Sequence, residues 1–374
     1  MVRSDALVVG GGPAGSTCAR QLRLAGWNVV VVDRARFPRD KVCAGWLTPG
    51  VFSLLDLNPA EYRASGRTLE EITAFRTSVI GQPAIETSYH HPVSYSARRC
   101  EFDEFLLRRS GATVFEETAV HTVRRRNGMW NVDERFEAPV LIGAGGNFCP
   151  VAKALRPATT TVTPLVAKET EFRGEPAPSS RRAPALFFCR DLNGYGWVVP
   201  KGEYVNVGLG RRESQGFLTH VKEFVAFLER EGIVSGAGKA RWCGHAYLAS
   251  GVGTSPVIGP GVMLVGDAAG LAYPESGEGI KPAIESGRLA AETLIGAGGR
   301  YDADDLRPYA EALRVRHPAV GRRSAAVNAL SAAIGRMVLR SPGLTRRLVL
   351  DRWFLRKGPR DSRGPFTSTS ERRR

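Results

Sequence analysis

The stretch ALVVGGGPAGSTCARQLRLAGWNVVVVD, residues 6–33, determines the fold of this chain. Its apolar runs at either end predict buried strands, and the segment between them predicts a glycine turn followed by a helix. Gly10, Gly12 and Gly15 form G-x-G-x-x-G in that turn. The missing side chains let a pyrophosphate approach backbone N–H groups at the N-terminus of the helix. We therefore predict a βαβ unit that binds a dinucleotide.

Asp33 ends the second apolar run, 18 residues beyond Gly15. A carboxylate at this point can accept hydrogen bonds from the adenosine ribose hydroxyls. Pro13, Ala14 and Arg34 flank the turn and the strand end, and we predict that they lie along the same half of the cofactor.

A second segment, VMLVGDAAGLAYPESGEGIKPAIESG at residues 262–287, follows much later in the chain. A strand delivers Gly266 and Asp267 to a turn, and a loop then leads into another helix. An aspartate there can bind the ribityl hydroxyls of a flavin, and a helix N-terminus can stabilise negative charge on the reduced ring. The two segments together predict FAD. The simpler interpretation is that Asp267 caps the following helix, but this leaves the other turn residues unexplained: Pro274, Gly277 and Gly279.

Five segments in order resemble the geranylgeranyl reductase family of FAD-dependent oxidoreductases, within the larger group of aromatic hydroxylases and flavin-dependent halogenases. They are GGGPAG, DRARFPRDKVCAGWLTP, RCEFDEFL, YGWVVPKG and GDAAGLAYPESGEGI, and the resemblance covers roughly residues 5–310. The cysteine loop, YGWVVPKG and PESGEGI resemble the reductases more specifically. The resemblance implies a reductase that uses FAD.

The resemblance also implies site residues. It places Arg99 beside the cofactor, and Gly277, Glu278, Gly279 and Ile280 near the flavin ring. Cys43, Ala44 and Gly45 are expected on the substrate side of the ring. Two simpler interpretations remain open: Cys43 as a small buried residue in a turn, and Arg99 in a surface ion pair with Glu101 or Asp103.

Tyr195 and Trp197 are two residues apart on a predicted strand, so their side chains face the same side of the sheet. They can form an apolar wall above a flavin, or an ordinary aromatic core pair. One departure from the family pattern is Gly145, where the family usually has an aspartate. That aspartate is associated with FAD and NADPH in the hydroxylases, so the electron donor stays open between NAD(P)H and a reduced carrier.

We expect the enzyme to saturate carbon–carbon double bonds of a prenyl or similarly apolar small molecule. An isolated alkene must be held in a dry pocket beside a positioned acid. The candidate catalytic residues are Cys43, Tyr195, Trp197 and Glu278, with Tyr273 as a further candidate acid. The alternatives are a monooxygenase or halogenase that acts on an aromatic compound, and a flavoprotein without catalysis of its own.

The predicted fold class is α/β, with a Rossmann-like FAD-binding domain interleaved with an antiparallel-sheet substrate domain and a helical C-terminal segment. We assign residues as follows: the FAD-binding domain to 1–75, 97–157 and 255–300; the substrate domain to 76–96 and 158–254; the helical segment to 301–358; and a disordered basic tail to 359–374.

Charge is concentrated near the C-terminus: residues 314–374 carry 16 Lys or Arg and three acids, in a chain of net charge +15. LTRRLVLDRWFLRKG at residues 344–358, after Ser341 and Pro342, predicts an amphipathic helix. Its apolar side chains can pack on the body of the protein or lie on an anionic membrane. We expect no nucleic-acid partner, no metal and no disulfide. The expected location is cytoplasmic, with peripheral membrane contact as one interpretation.

Overall fold

A computed structural model describes residues 1–156, 165–174, 183–212, 214–247, 256–273, 275–318 and 335–355. It confirms the predicted α/β class: a mostly parallel sheet covered by helices, a larger and mostly antiparallel sheet, and two smaller sheets.

The helices are α1 (Pro13–Leu24), α2 (Pro49–Leu54), α3 (Pro59–Ala64), α4 (Arg99–Arg109), α5 (Pro150–Leu155), α6 (Phe217–Arg230), α7 (Ile280–Gly296), α8 (Arg307–Arg316) and α9 (Pro342–Leu344). The strands are β1 (Val2–Arg3), β2 (Ala6–Val9), β3 (Val29–Val32), β4 (Trp46–Leu47), β5 (Leu69–Ile72), β6 (Ala74–Val79), β7 (Ile85–Ser88), β8 (Ser94–Ala97), β9 (Thr113–Phe115), β10 (Val123–Arg126), β11 (Met129–Val132), β12 (Phe136–Ala138), β13 (Val140–Gly143), β14 (Leu165–Arg173), β15 (Ala185–Phe188), β16 (Gly194–Lys201), β17 (Tyr204–Arg211), β18 (Cys243–Tyr247), β19 (Ile258–Gly259) and β20 (Val262–Leu264).

The parallel sheet has the order β19-β20-β13-β2-β3-β9. Strands β2, β3 and β13 are buried along their whole length because helices and a small sheet cover both faces, which explains their uninterrupted apolar sequences. Helix α1 packs on α7 at Gly287, where a Cβ atom would lie 2.2 Å from the Ala14 carbonyl oxygen. The βαβ unit predicted for residues 6–33 is confirmed.

The run TVFEETAVHTVRRR, residues 113–126, predicts a single strand, and this prediction is wrong. The chain forms β9 beside β3 in the parallel sheet and then β10 in a separate four-stranded sheet. Glu117 between them adopts a φ of 51°, and Thr118 donates its N–H to the Asp33 carbonyl at 2.8 Å. This turn bends the chain over the end of β3.

The larger sheet has the order β18-β14-β17-β16-β15-β6-β7. Helix α6 covers one face so closely that a Cβ atom on Gly196 would lie 2.3 Å from the Phe224 ring. The other face is turned toward the carboxyl ends of the parallel strands, and the residues between the two sheets form the site described below.

The C-terminal segment begins a helix at Pro342, as predicted, and continues as a π-helix over Thr345–Phe354. Val349, Leu350 and Phe354 are buried against residues such as Phe75 in the core of the larger sheet. The predicted positions Arg356 and Lys357 lie outside the described residues. No helix in the described part of the chain is both long and apolar enough to cross a membrane.

Candidate functional site

One cavity of about 890 Å³ lies between the parallel sheet and the larger sheet. The ends of β2, β3, β13 and β20 open onto it through residues just beyond each strand, such as Gly10, Asp33, Ala144 and Gly266. Ligands of open α/β sheets bind at the carboxyl ends of the strands. The position of the cavity is therefore that of a nucleotide-cofactor site.

The glycine turn is shaped by contacts that leave no room for side chains. Gly10 has a φ of 114°, and a Cβ atom there would lie 2.4 Å from the Ala144 carbonyl oxygen. A Cβ atom on Gly15 would lie 2.0 Å from the Gly10 carbonyl oxygen. The backbone can therefore come close to a phosphate only if these positions stay glycine.

Asp33 is 9% exposed and holds the turn from the neighbouring strand. Its carboxylate accepts hydrogen bonds from Gly11 N at 2.7 Å and Ala35 N at 2.9 Å. Asp33 thus orders the glycine turn as well as facing the cavity.

Asp267 lies in the 3₁₀ turn Gly266–Ala269 directly after β20, and its side chain faces the cavity. Gly266 adopts a φ of 61° and donates its N–H to Ser286 Oγ at 2.9 Å. Helix α7 begins only at Ile280, so Asp267 does not cap it. The simpler interpretation of Asp267 is therefore wrong. Pro274 lies outside the described residues.

Two basic side chains face Asp267. Lys41 Nζ and His245 Nε2 are 2.8 Å apart, and His245 Nε2 lies 4.0 Å from Asp267 Oδ2. Burial lowers the pKa values of Lys41 and His245. Burial opposes ionisation of Asp267, but the hydrogen bond with His245 and the charge of Lys41 outweigh it and lower the pKa of Asp267. Asp267 is therefore a carboxylate at neutral pH.

Arg99 is the first residue of α4 and is only 7% exposed. Its guanidinium binds Asp103 through two hydrogen bonds, at 2.9 and 3.0 Å, and Arg39 approaches the same carboxylate to 3.2 Å. Arg99 does form the ion pair with Asp103 that the simpler interpretation predicts, but the pair is buried and does not lie on the surface. Two cations around one acid leave net positive charge at the wall of the cavity, which suits an anionic cofactor.

The Cys43 loop, defined here as residues 41–45, covers part of the cavity. Cys43 and Ala44 line the cavity. Gly45 adopts a φ of 66° and points away from the cavity, where a Cβ atom would lie 2.0 Å from the Ala97 carbonyl oxygen. Glu169 on β14 accepts a hydrogen bond from Cys43 N at 2.6 Å and fixes the loop to the larger sheet.

Aromatic rings form the opposite wall. Tyr195 and Trp197 face the cavity with ring centroids 5.9 Å apart, and Trp197 Nε1 donates to Asn206 Oδ1 at 2.7 Å. Trp46 and Phe354 complete the wall, stacked with centroids 5.3 Å apart. Tyr195 and Trp197 thus belong both to the hydrophobic core and to the cavity surface.

Most of the predicted site residues meet at this cavity. They are Gly10, Gly12, Pro13, Ala14, Asp33, Arg34, Cys43, Ala44, Arg99, Tyr195, Trp197, Gly266, Asp267, Gly277, Glu278, Gly279 and Ile280. Gly15 instead packs under the turn, and the Tyr273 ring stacks on His317 at 5.5 Å, outside the cavity lining.

Sequence reasoning did not find Lys41, His245, Glu169 or Phe354. Lys41 had a weak signal, since it lies two residues before Cys43 in a segment already singled out. The other three lie on strands or a helix far from the two cofactor motifs. Only tertiary packing brings His245 and Phe354 to the cavity and Glu169 behind its wall.

The fold and this cavity define an FAD-dependent oxidoreductase, and residues 5–104 match the family model described as FAD dependent oxidoreductase. The chain is 33% identical to a menaquinone reductase of Mycolicibacterium smegmatis, over 82% of this chain and 80% of that protein. It is 27% identical to digeranylgeranylglycerophospholipid reductase 3 of Methanosphaera stadtmanae, over 82% and 81%. A geranylgeranyl bacteriochlorophyll reductase-like protein of Thermoplasma acidophilum shares the fold, with a TM-score of 0.70, 24% identity and coverage of 91% and 88%. The chain belongs to the geranylgeranyl reductase family of FAD-dependent oxidoreductases.

Proposed function

We propose that this enzyme reduces carbon–carbon double bonds in the prenyl chain of a lipid or lipid quinone. The observation that carries the proposal is the aromatic wall of Trp46, Tyr195, Trp197 and Phe354, which faces the cofactor segments across one cavity. Two relatives named for digeranylgeranylglycerophospholipid and menaquinone support the same class, because both molecules carry isoprenoid chains.

The residues at the cavity fit FAD. We assign Gly10, Gly12, Pro13 and Ala14 at the N-terminus of α1 to the pyrophosphate, because backbone N–H groups and the helix dipole favour anions there. Asp33 and Arg34 are assigned to the adenosine half, and Gly266 and Asp267 to the ribityl chain. Gly277, Gly279 and Ile280, at the start of α7, are assigned to the ring, with Ala44 on the opposite side. Bound and reduced FAD supplies the hydride.

The aromatic wall holds the alkene and excludes water. An isolated double bond is a poor electrophile, so the reaction needs close positioning and a dry site more than it needs charge. Trp197 is fixed for this role by its hydrogen bond to Asn206, and Tyr195 by the hydrogen bond that its hydroxyl donates to the Ser276 carbonyl.

We assign the proton that completes the reduction to Cys43. Its Sγ accepts a hydrogen bond from Gly45 N at 3.4 Å, and the Arg99 guanidinium adjoins it. These two contacts hold the sulfur at the wall of the cavity. The hydroxyl proton of Tyr195 is already engaged with Ser276, and Glu278 is the second candidate because it also lines the cavity.

We assign the electron donor by class, as either NAD(P)H or a reduced carrier. A Cβ atom on Gly145 would lie 3.2 Å from Cys149 Cα, because the chain turns sharply over Gly146–Phe148. The family's usual aspartate would therefore be crowded at this position. Comparing the rates of flavin reduction by NADPH, NADH and dithionite tests whether a nicotinamide donor acts directly.

The decisive experiment uses FAD-loaded enzyme, reduced anaerobically and mixed with a geranylgeranyl lipid or menaquinone. We expect reoxidised flavin and a product heavier by two hydrogens per reduced bond. In deuterium oxide, Cys43→Ala should slow deuterium transfer about 100-fold, within the usual contribution of a general acid, whereas Glu278→Gln should not. Absence of saturated product, together with phenol-stimulated oxygen uptake, would favour the monooxygenase alternative instead.

We also propose that the outer face of residues 336–353 contacts anionic lipid. The inner face is core, but Leu344, Leu348 and Trp353 remain 36–39% exposed on the outside. Arg347 and Arg352 are exposed beside them. Apolar side chains among cations suit an anionic bilayer, where each Arg contributes about 1 kcal/mol. Phe354, next to Trp353, lines the cavity, so this face would lie close to the path of a lipid substrate.

Point substitutions test this contact, because deletion of the segment would also remove core residues. The combined variant Leu344→Ser, Leu348→Ser, Trp353→Ser should reduce co-sedimentation with phosphatidylglycerol vesicles at least tenfold. Leu218→Ser, at an exposed apolar position on α6, is the matched control and should bind like the wild type. Equal binding by both variants would contradict the proposal.

A further inference from the structure

The cavity has a buried carboxyl group behind its wall. Glu169 on β14 is 5% exposed and does not line the cavity. Its Oε1 accepts the hydrogen bond from Cys43 N at 2.6 Å, whereas Oε2 makes no well-formed hydrogen bond with the residues that the structure describes. Glu169 therefore contacts the Cys43 loop at a backbone N–H group, which is not one of the atoms proposed to react.

The charges that face Glu169 come from several elements. Lys201 on β16 is fully buried, but it pairs with Glu171 Oε2 at 2.7 Å, and Arg98 holds the other oxygen of Glu171 at 2.9 Å. Glu171 on the same strand repels a charge on Glu169, and Cys243 lies opposite Glu169 on β18. Asn206 on β17 adjoins the carboxyl.

Burial therefore decides the ionisation of Glu169. Burial raises its pKa to about 7, against the opposing effects of Lys201, the Cys43 N–H and the Asn206 side chain. The Lys201 charge is the largest of the opposing effects, but burial outweighs it. Glu169 changes its charge near neutral pH while it remains bound to the loop.

We propose that Glu169 is a positioning residue, whose ionisation tightens the Cys43 loop and so sets the pH dependence of the reduction. Only the catalytic consequence of this proposal depends on the proposed function. The Cys43 N–H favours the ionised form of Glu169, and by linkage ionisation must strengthen that same hydrogen bond. A carboxylate also accepts a stronger hydrogen bond than a neutral acid does.

The loop can transmit this change to the cavity. Cys43 and Ala44 line the cavity, and Ala97 N donates to the Gly45 carbonyl at 2.9 Å on the far side. The loop is thus held on both sides of Cys43, and a further contact joins Lys41 Nζ to His245 Nε2 at 2.8 Å, where burial lowers both pKa values. Of these titratable groups, Glu169 is the one that binds the Cys43 amide itself. A tighter contact above pH 7 holds the Cys43 thiol in one position.

The test is hydrogen exchange of the Cys43 amide in FAD-loaded protein without substrate, corrected for the intrinsic effect of pH. From pH 6 to pH 8 the wild-type protection factor should rise about fivefold. Glu169→Gln keeps the size and the acceptor oxygen but cannot ionise, so its protection should stay constant. Glu86→Gln, at an exposed carboxylate on β7, is the control and should behave like the wild type.

A catalytic measurement completes the test. The wild-type kcat should rise with an apparent pKa near 7, whereas Glu169→Gln should lose that limb with KM nearly unchanged. A wild-type protection factor that does not change with pH, or a Glu169→Gln variant that retains both changes, would overturn the proposal. Because hydrogen exchange needs no substrate, it can succeed or fail independently of the prenyl assignment.

Discussion

The Asp33 carboxylate accepts a hydrogen bond from the Gly11 N–H at 2.7 Å, and so ties the end of β3 to the glycine turn that follows β2. The contact joins two residues that are 22 positions apart, and it lies at the edge of the cavity. Asp33, which the sequence predicts to bind the adenosine ribose, therefore also shapes the phosphate-binding turn.

We expect Asp33→Ala to weaken FAD binding at least tenfold, because hydrogen bonds to a charged group contribute about 1.5–3 kcal/mol each. Asp5→Ala is a matched control, since Asp5 makes a similar contact with Asn28 N at 2.7 Å at the opposite end of the strand. That variant should lose some stability but keep its FAD affinity. Fluorescence titration of each apoprotein with FAD measures the affinity of both variants. Equal FAD affinity in the two variants would contradict the role of Asp33.

The contact between α1 and α7 gives a second prediction, from two glycines in one helix. A Cβ atom on Gly287 would lie 2.2 Å from the Ala14 carbonyl oxygen, whereas one on Gly296 would meet nothing within 4 Å. Gly287→Ala should lower the free energy of unfolding by about 3 kcal/mol through overpacking. Gly296→Ala should raise it by about 0.5 kcal/mol. Urea denaturation distinguishes them, and similar effects would argue against this packing.

The raised pKa of Glu169 predicts how stability depends on pH. Between its unfolded pKa of about 4.5 and its folded pKa of about 7, the folded protein holds the proton more tightly. The Glu169 contribution to the free energy of unfolding therefore falls as pH rises through this window, by about 3 kcal/mol in all. The melting temperature of Glu169→Gln, relative to the wild type, should increase from pH 5 to pH 7.5. A constant difference would mean that Glu169 does not titrate in this window.

Substitutions of Phe354 and Trp353, two neighbouring aromatic residues of the C-terminal segment, should differ in their effects on stability. Phe354 is 5% exposed and stacks on Trp46, so Phe354→Ala should cost about 3–5 kcal/mol and raise KM for a prenyl substrate. Trp353→Ala, at a residue 36% exposed, should change stability by less than about 1 kcal/mol. Phe354→Leu should recover much of the stability. Thermal unfolding and steady-state kinetics measure these effects, and an unchanged KM in Phe354→Ala would remove Phe354 from the substrate wall.

Local sequence patterns predicted the secondary structure correctly where residues close in sequence determine it. The alternation of apolar strand, glycine turn and helix over residues 6–33 placed β2, α1 and β3 correctly. The same logic failed for residues 113–126, where Glu117 in a left-handed conformation divides the chain between two sheets. A glutamate in the sequence does not predict such a turn, because a non-glycine residue adopts the left-handed conformation only when surrounding contacts stabilise it.

The sequence alone determined the class of protein, because glycines with missing side chains and aspartates at strand ends are local requirements of dinucleotide binding. It also placed Cys43, Tyr195 and Trp197 among the candidates. Only the tertiary structure brought His245 to Asp267, Glu169 to the Cys43 loop and Phe354 to Trp46. These pairs lie far apart in sequence, and their contacts depend on how two sheets and a C-terminal segment pack, which no local pattern encodes.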